Sequence, residues 1–287
     1  MPVPGKRLRR IGLALGGPIL LGLIWELIKR IGGPQGRVLG MRTDDASMPH
    51  LSTIFGAFGK EDVRGTGRTV LDAVLGATWF TFRLSVGGFV LGSIIGVVLA
   101  MAMQRFRLVE KAWLPYVVLS QTVPLIALAP LIVGWGGQLK LFGQPWRPWM
   151  TVIGMASYLS FFPVAIGALT GFQSPKPDSL ELMNSYAASW LQTFTKLRLP
   201  ASIPYLIPGL KLGGSASVVG AIVAEISIGT PGGIGRLIID YSQKATGDPS
   251  RVFTAFLGAA ALGLIIAALI NGLERFATRN RPKGNLA

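Results

Sequence analysis

Residues 84–103, LSVGGFVLGSIIGVVLAMAM, follow Arg83 and reach Gln104 without one charged side chain. A bilayer suits such a run, since about 20 largely apolar residues cross roughly 30 Å of hydrocarbon. Inside lipid every backbone N–H and C=O must be satisfied within the protein, which restricts crossings to helices and closed barrels. A long continuous apolar run, as opposed to an alternating one, selects the helix. Comparable runs at residues 11–31, 113–135, 149–169, 207–228 and 252–270 predict an all-α membrane protein with about six transmembrane helices. The run at 113–135 holds Pro115, Pro124 and Pro130. The run at 11–31 lacks an A-x-A-like end to its apolar part and is read as a retained span, not a cleaved signal.

Charge then orients the runs. Charged residues make up 14% of the chain, and the mean hydropathy is +0.51, against about a quarter charged in a soluble domain. Lys and Arg total 28 against 13 Asp and Glu. In a soluble protein that excess would suggest nucleic acid; here basic residues mark cytoplasmic flanks, and no nucleic acid partner is expected. Lys6, Arg7, Arg9 and Arg10, then Arg105, Arg107 and Lys111, then Lys176, Lys196, Arg198 and Lys211, and finally Arg275, Arg279, Arg281 and Lys283 fall on one side of a chain with six spans. Both termini are then cytoplasmic. The layout reads as a cytoplasmic basic N-terminus (1–10), a first transmembrane helix (11–31) and an extracytoplasmic connection (32–75) with one short helix over 51–58. A membrane core (76–272) holding a cytoplasmic loop (172–203) follows, then a cytoplasmic basic tail (273–287).

Chemical equipment is sparse. There is one His, His50, and no Cys, which undersupplies a His/Cys metal site, a Cys nucleophile or a Ser-His-Asp triad. No G-x-x-x-x-G-K-[ST] phosphate loop occurs. The chain is not expected to be an enzyme or to bind a cofactor directly.

The loop SPKPDSLELMNSYAASWLQTFTKLRLP, residues 174–200, is too polar for lipid and too patterned for slack. Leu180, Met183, Tyr186 or Ala187, Trp190 and Phe194 recur at helical spacing and give one apolar face. Asp178 with Glu181 three residues on resembles a capping box, and Leu199-Pro200 is expected to close the helix. By pattern alone, this helix either lies on the membrane surface or fills a groove on a partner.

The loop also resembles the "EAA" segment, E-A-A-x3-G-x9-hydrophobic-x-L-P, of membrane-spanning permease subunits of bacterial ABC importers. Glu181-Leu182-Met183 stands at the E-A-A place, Ala187 at the Gly place, and Leu197, Leu199 and Pro200 at the close. Leu-Met thus replaces Ala-Ala, and Ala replaces Gly. The likeness extends from about Thr78 to Arg275 through LSQTVPLIALAPLIVGWG, FFPVAIGALTGFQS, PYLIPGLKLGGSASVVGAIVAEI and PGGIGRLIIDY. It is greatest to the nitrate, sulfonate, taurine and thiamine-precursor branch. The resemblance implies a type I ABC importer permease fold in the bacterial inner membrane. It implies a second permease subunit forming a homodimer, two ATPase subunits holding ATP and Mg, and an extracytoplasmic solute-binding protein. ATPase docking would fall on Asp178, Glu181, Met183, Ala187, Ala188, Ser189, Trp190, Leu199 and Pro200.

Other residues carry expectations of their own. Gly88, Gly92 and Gly96 repeat every fourth residue, a seam for close helix packing, and Gly213, Gly214 and Gly220 read similarly. Glu225 lies inside an apolar run, where an ionisable group faces protein or water; it either lines the path or makes a structural pairing. Gln121 and Thr122 either hydrogen-bond a passing solute or satisfy backbone groups near the prolines. Gly232 and Gly233 suggest a tight outer turn supporting a gate. The competing class, an autonomous secondary transporter or channel, would show internal repeats and a coupling-ion site; no repeat is evident, and Glu225 is the one plausible deep ionisable group.

Overall fold

The computed structural model describes residues 4–32, 36–38, 40–63, 65–141, 143–245 and 247–277. The basic residues Arg279, Arg281 and Lys283 of the expected tail lie outside the described residues. The chain forms two compact units, one from the segment up to Leu75 with Leu237–Leu257, the other from Gly76–Arg236 with the segment from Gly258 on.

In the first unit, helix α1, Pro4–Gly32, contains the run at 11–31. A small hairpin, β1 Arg37–Val38 with β2 Met41–Arg42, and helix α2, Leu51–Ala57, follow; the helix is the one expected over 51–58. Polar ties, not apolar periodicity, order this connection. Lys29 Nζ donates to Thr43 O at 2.6 Å and pairs with Asp45 at 2.7 Å, and Glu26 meets His50 at 2.7 Å. Farther along, Lys60 pairs with Asp248 at 2.7 Å, Tyr241 donates to Asp62 at 2.7 Å, and Arg251 donates to the Asp62 and Glu61 carbonyls at 2.9 and 3.0 Å. Burial works against ionised Asp248, but hydrogen bonds from Lys60, Ser250 and Arg251 outweigh it and hold its carboxyl below the usual range. That contribution to stability is present above the ordinary Asp pKa and fades as pH falls through the lowered one.

The second unit is built around α6, Pro148–Gln173. Helix α3, Val70–Arg105, lies parallel to it: Gly88 faces Ile153 and Ser157, Gly92 faces Ser157 and Phe161, and Gly96 faces Phe161 and Ala165. A Cβ on Gly96 would stand 2.7 Å from the Phe161 carbonyl oxygen. The four-residue glycine spacing therefore places bare backbone against α6, as the seam reading expects. Helix α9, Leu199–Ile228, runs antiparallel on α6: Gly220 meets Met155, Gly213 meets Ser160, Gly209 meets Pro163 and Gly171 meets Ser202. Gly214 instead turns to Ile266 on α11, Ser250–Ala277. In lipid, apolar side chains gain little by leaving the solvent, so close van der Waals packing of small residues carries helix association.

Four helices among the described residues are long and apolar enough to cross a membrane: α3, α6, the helical run Trp190–Ile228 and α11. The run at 113–135 departs from the expected single helix. It is a broken pair, α4 Arg107–Leu119 continuing through a 3₁₀ turn at Ser120–Thr122, then α5 Leu125–Gly136, bent by 106°. Val123 is extended (φ −72°, ψ 128°) before Pro124, the conformation a following proline imposes. Pro115 and Pro130 lie inside their helices. A second hairpin, β3 Lys140–Leu141 with β4 Gln144–Pro145, connects α5 to α6.

The glycine seam generates a direct test. Gly92→Leu is expected to cost at least about 1–3 kcal/mol of overpacking, read as a lower thermal midpoint of the detergent-purified chain. Gly263→Leu, where an added Cβ meets nothing within 4 Å, is expected to leave the midpoint unchanged.

Candidate functional site

Two constellations occupy opposite ends of α9. The first is the loop between α6 and α9. The single helix expected from Asp178 onward is two helices with a tight turn between them. Helix α7, Pro177–Ser185, begins with Pro177 in its first turn, and Lys176, not Asp178, is the N-cap. Proline fits N1, where its missing N–H is not needed, so Asp178 falls within the first turn and complements the helix dipole there. At the far end Ala187 adopts φ +49°. The Ala187 N–H donates to Asn184 O at 2.9 Å and the Ala188 N–H to Met183 O at 3.0 Å, a Schellman close whose left-handed position normally takes glycine. The Gly place in the motif therefore coincides with a backbone demand. Here it is met by alanine, under strain.

Ser189 then starts the next helix, α8 Trp190–Thr193. Its side chain accepts from the Gln192 N–H at 3.3 Å, while its own N–H donates to Gln192 Oε1 at 2.8 Å. This is the capping box of the loop, and its S-x-x-Q signature was present in the sequence. Leu199-Pro200 does not close the helix, contrary to expectation. Pro200 has no N–H for the carbonyl four residues earlier, and the chain widens into a π turn at Phe194–Arg198 with the Leu199 N–H donating to Phe194 O. The helix continues as α9 through this wider turn.

The root of the loop is aromatic. Trp190 stacks on Phe194 at 5.3 Å, Phe194 meets Phe172 edge-on at 4.9 Å, and the Arg105 guanidinium lies 5.3 Å over the Trp190 ring. Arg198 donates to the Phe172 carbonyl at 2.7 Å, satisfying the last turn of α6. The tip is exposed: Leu182 by 56% and Tyr186 by 77%, with Asp178 and Glu181 also facing out. Met183, Ala187, Ala188, Ser189 and Trp190 thus form one compact turn, while Leu199 and Pro200 lie in the first turn of α9.

The second constellation surrounds Glu225, which is fully buried. Thr81 Oγ1 lies 2.8 and 3.0 Å from its two carboxyl oxygens, and the Gly235 N–H donates to Oε2 at 2.9 Å. Thr81 in turn accepts from the Ile234 N–H at 2.9 Å. The carboxyl group therefore ties α3 to the start of α10, Ile234–Gln243, across the turn that ends α9. Gly229, with φ +64°, caps α9, and Gly232 has φ +91°. A Cβ on Gly233 would overlap the Glu225 carboxyl. Of the two roles left open for Glu225, this geometry supplies the structural pairing. No local signal pointed to Thr81, which is 144 residues away. Gln121 and Thr122 stand apart from both groups, exposed in the turn between α4 and α5. The Thr122 hydroxyl donates to Leu119 O at 2.8 Å.

Against known proteins, residues 88–280 match the family described as binding-protein-dependent transport system inner membrane component. This chain belongs to that family. The permease is 30% identical to a probable ABC transporter permease protein of Haemophilus influenzae over 65% of its length and 71% of that protein's. It is also 30% identical to a formylaminopyrimidine transport permease protein of Halalkalibacterium halodurans, over 68% and 74%. In fold it is similar to a chain of the inward-facing MetNI methionine ABC transporter, with a TM-score of 0.60, 16% identity and 73% and 98% of the two chains covered. The permease is therefore a mostly helical, multi-pass inner-membrane transport subunit with a type I ABC importer permease fold.

Two substitutions test this geometry. Thr81→Val strands the Ile234 N–H and is expected to cost about 1–3 kcal/mol in thermal unfolding, with Thr81→Ser close to the parent. Ala187→Gly relieves the left-handed position and is expected to stabilise the turn by about 1 kcal/mol, read as slower amide exchange at residues 187 and 188.

Proposed function

We propose that this permease lines the solute path of an ATP-driven importer and receives a separate ATPase subunit on the loop formed by α7, the Ala187 turn and α8. The supporting observation is the contrast along this loop. Its tip exposes Leu182 and Tyr186, whereas its root is fixed by Trp190, Phe194, Phe172 and Arg105. An apolar tip on an anchored base suits a wedge in a partner's groove. Two permease copies, two ATPase subunits carrying ATP and Mg, and an extracytoplasmic binding protein complete the assembly.

Closure of the ATPases moves the loop, and α9 carries that displacement toward the Glu225 turn as a rigid body. Gln121 and Thr122, at the bend between α4 and α5, and Gly232 and Gly233, beside the buried carboxyl, belong to the path and its gate. The loop, with Arg105 and Arg275 at the same helix ends, faces the cytoplasm, as do both termini. The solute is a small polar molecule supplied by the binding protein, as formylaminopyrimidine is the solute named for one relative. An autonomous ion-coupled carrier would need Glu225 open to a travelling ion; its oxygens are held by Thr81 and Gly235.

In proteoliposomes holding the assembled importer, Ala187→Trp and Glu181→Lys are expected to abolish uptake while ATP hydrolysis continues and membrane insertion is unchanged. Normal uptake by both variants would contradict docking through this loop.

A further inference from the structure

The first turns of α4 carry a cationic cavity that the transport reading does not use. Arg107 and Lys111 are one helical turn apart and share a cavity of 340 Å³ with Glu110, Leu114 and Pro115. Residues four apart on a helix face the same way, so the two cations converge on one volume. Glu110 is already engaged, its Oε1 accepting from Gln173 Nε2 at 2.9 Å. Among the described residues neither Arg107 nor Lys111 has a carboxylate at ion-pair distance. An amide hydrogen bond does not cancel the Glu110 charge, so the lining sets two cations against one carboxylate and stays net positive.

The setting is as informative as the charge. Leu108 is 81% exposed, and Phe106 and Trp113 are more than half exposed. These apolar side chains flank the cations directly after the long apolar helix α3 has ended at Arg105. Exposed apolar and aromatic side chains beside basic ones, at the end of a span, describe a turn at the level of lipid headgroups. Leu114 and Pro115 give the cavity an apolar wall below its basic rim. A free inorganic anion would gain nothing from that wall or from Leu108. A phospholipid uses both, its phosphate between the cations and its glycerol and upper acyl region on the apolar residues.

We propose that the cavity at the start of α4 binds the headgroup of an anionic phospholipid through Arg107 and Lys111. The site adjoins the root of the docking loop, because Arg105, two residues before Arg107, lies over Trp190. An anionic lipid there would hold the α3–α4 junction beside the part of the loop that is anchored. Lipid binding stands apart from the transport reading, since it is read without uptake.

The test is native mass spectrometry of the full chain exchanged into phosphatidylglycerol or phosphatidylcholine of identical acyl chains. The wild type is expected to retain phosphatidylglycerol preferentially. Arg107→Gln with Lys111→Gln is expected to weaken retention roughly twenty-fivefold, about fivefold for each cation near the surface, while Lys140→Gln retains the preference. Arg107→Lys, which preserves charge, should keep most of the binding and so separates a lipid role from misfolding. Equal retention of the two lipids, or undiminished phosphatidylglycerol in the double variant, overturns the site. Displacement of lipid by millimolar inorganic phosphate would overturn it in favour of a free-anion site. Loss of a copurifying protein without loss of lipid preference would overturn it in favour of an acidic protein surface.

Discussion

Helix α6 is held on two sides by neighbours at backbone distance, and the positions of both functional constellations follow from that grip. On one side Gly88, Gly92 and Gly96 of α3 abut it; on the other, Gly209, Gly213 and Gly220 of α9 do so. Contacts this close have no slack for side-chain rearrangement, because each missing Cβ is filled by a neighbour's main chain. The consequence at the C-terminal end of α6 is a fixed Phe172, which the aromatic root of the α6–α9 loop meets edge-on. At the opposite end, the consequence is a fixed α9 whose last turn delivers Glu225 to Thr81. Helix α9, 30 residues long, spans about 45 Å and joins the two. That continuity supplies a physical connection between the loop and the Glu225 turn; independent motions of the two ends would require α9 to break or α6 to release it.

Much of this arrangement was legible because it repeats. Apolar runs of spanning length located α3, α6, α9 and α11, and the four-residue glycine spacing indicated which face of α3 meets another helix. The family pattern located the loop. Events confined to one or two residues were harder to read. Three prolines in the run at 113–135 offered three places to bend; the chain bends at Pro124, where Val123 is extended, and tolerates Pro115 and Pro130 inside helices. Leu199-Pro200 looked like a terminus because proline removes a donor, yet the π turn at Phe194–Arg198 accommodates that loss. Ser189 and Gln192 carried a visible capping signature, but Asp178 and Glu181 carried one too, and Pro177 at N1 starts that helix two residues earlier, with Lys176 as the N-cap. The partnership of Thr81 with Glu225 was invisible for a different reason: it is a contact between distant segments, and nothing local to either residue encodes it.

The electrostatics divide the molecule sensibly. Buried Glu225 is surrounded by donors, a hydroxyl and a backbone N–H at a helix start, which suits a carboxyl group deep in an apolar helix. Charges in the first unit pair with one another, as Lys60 does with Asp248 and Lys29 with Asp45. Among the described residues Arg107 and Lys111 have no carboxylate at ion-pair distance, and both are exposed at the helix end nearest the α6–α9 loop. The hydrogen-bonded Glu225 thus lies at one end of α9, and the exposed basic pair of α4 lies near the other, beside the root of the loop.

The central claim is that the tip of the loop between α6 and α9 seats in an ATPase subunit. The chain contains no cysteine, so a single introduced thiol reports from one place. Leu182→Cys in native membranes, labelled with a maleimide-linked diazirine and irradiated, is the measurement that bears on it, since the diazirine inserts into whatever residue lies beside the thiol. Docking through this tip predicts an adduct with a separate subunit carrying a phosphate-binding loop, with a yield that changes when ATP is added. An adduct absent at both Leu182→Cys and Tyr186→Cys, in membranes where uptake persists, would contradict it.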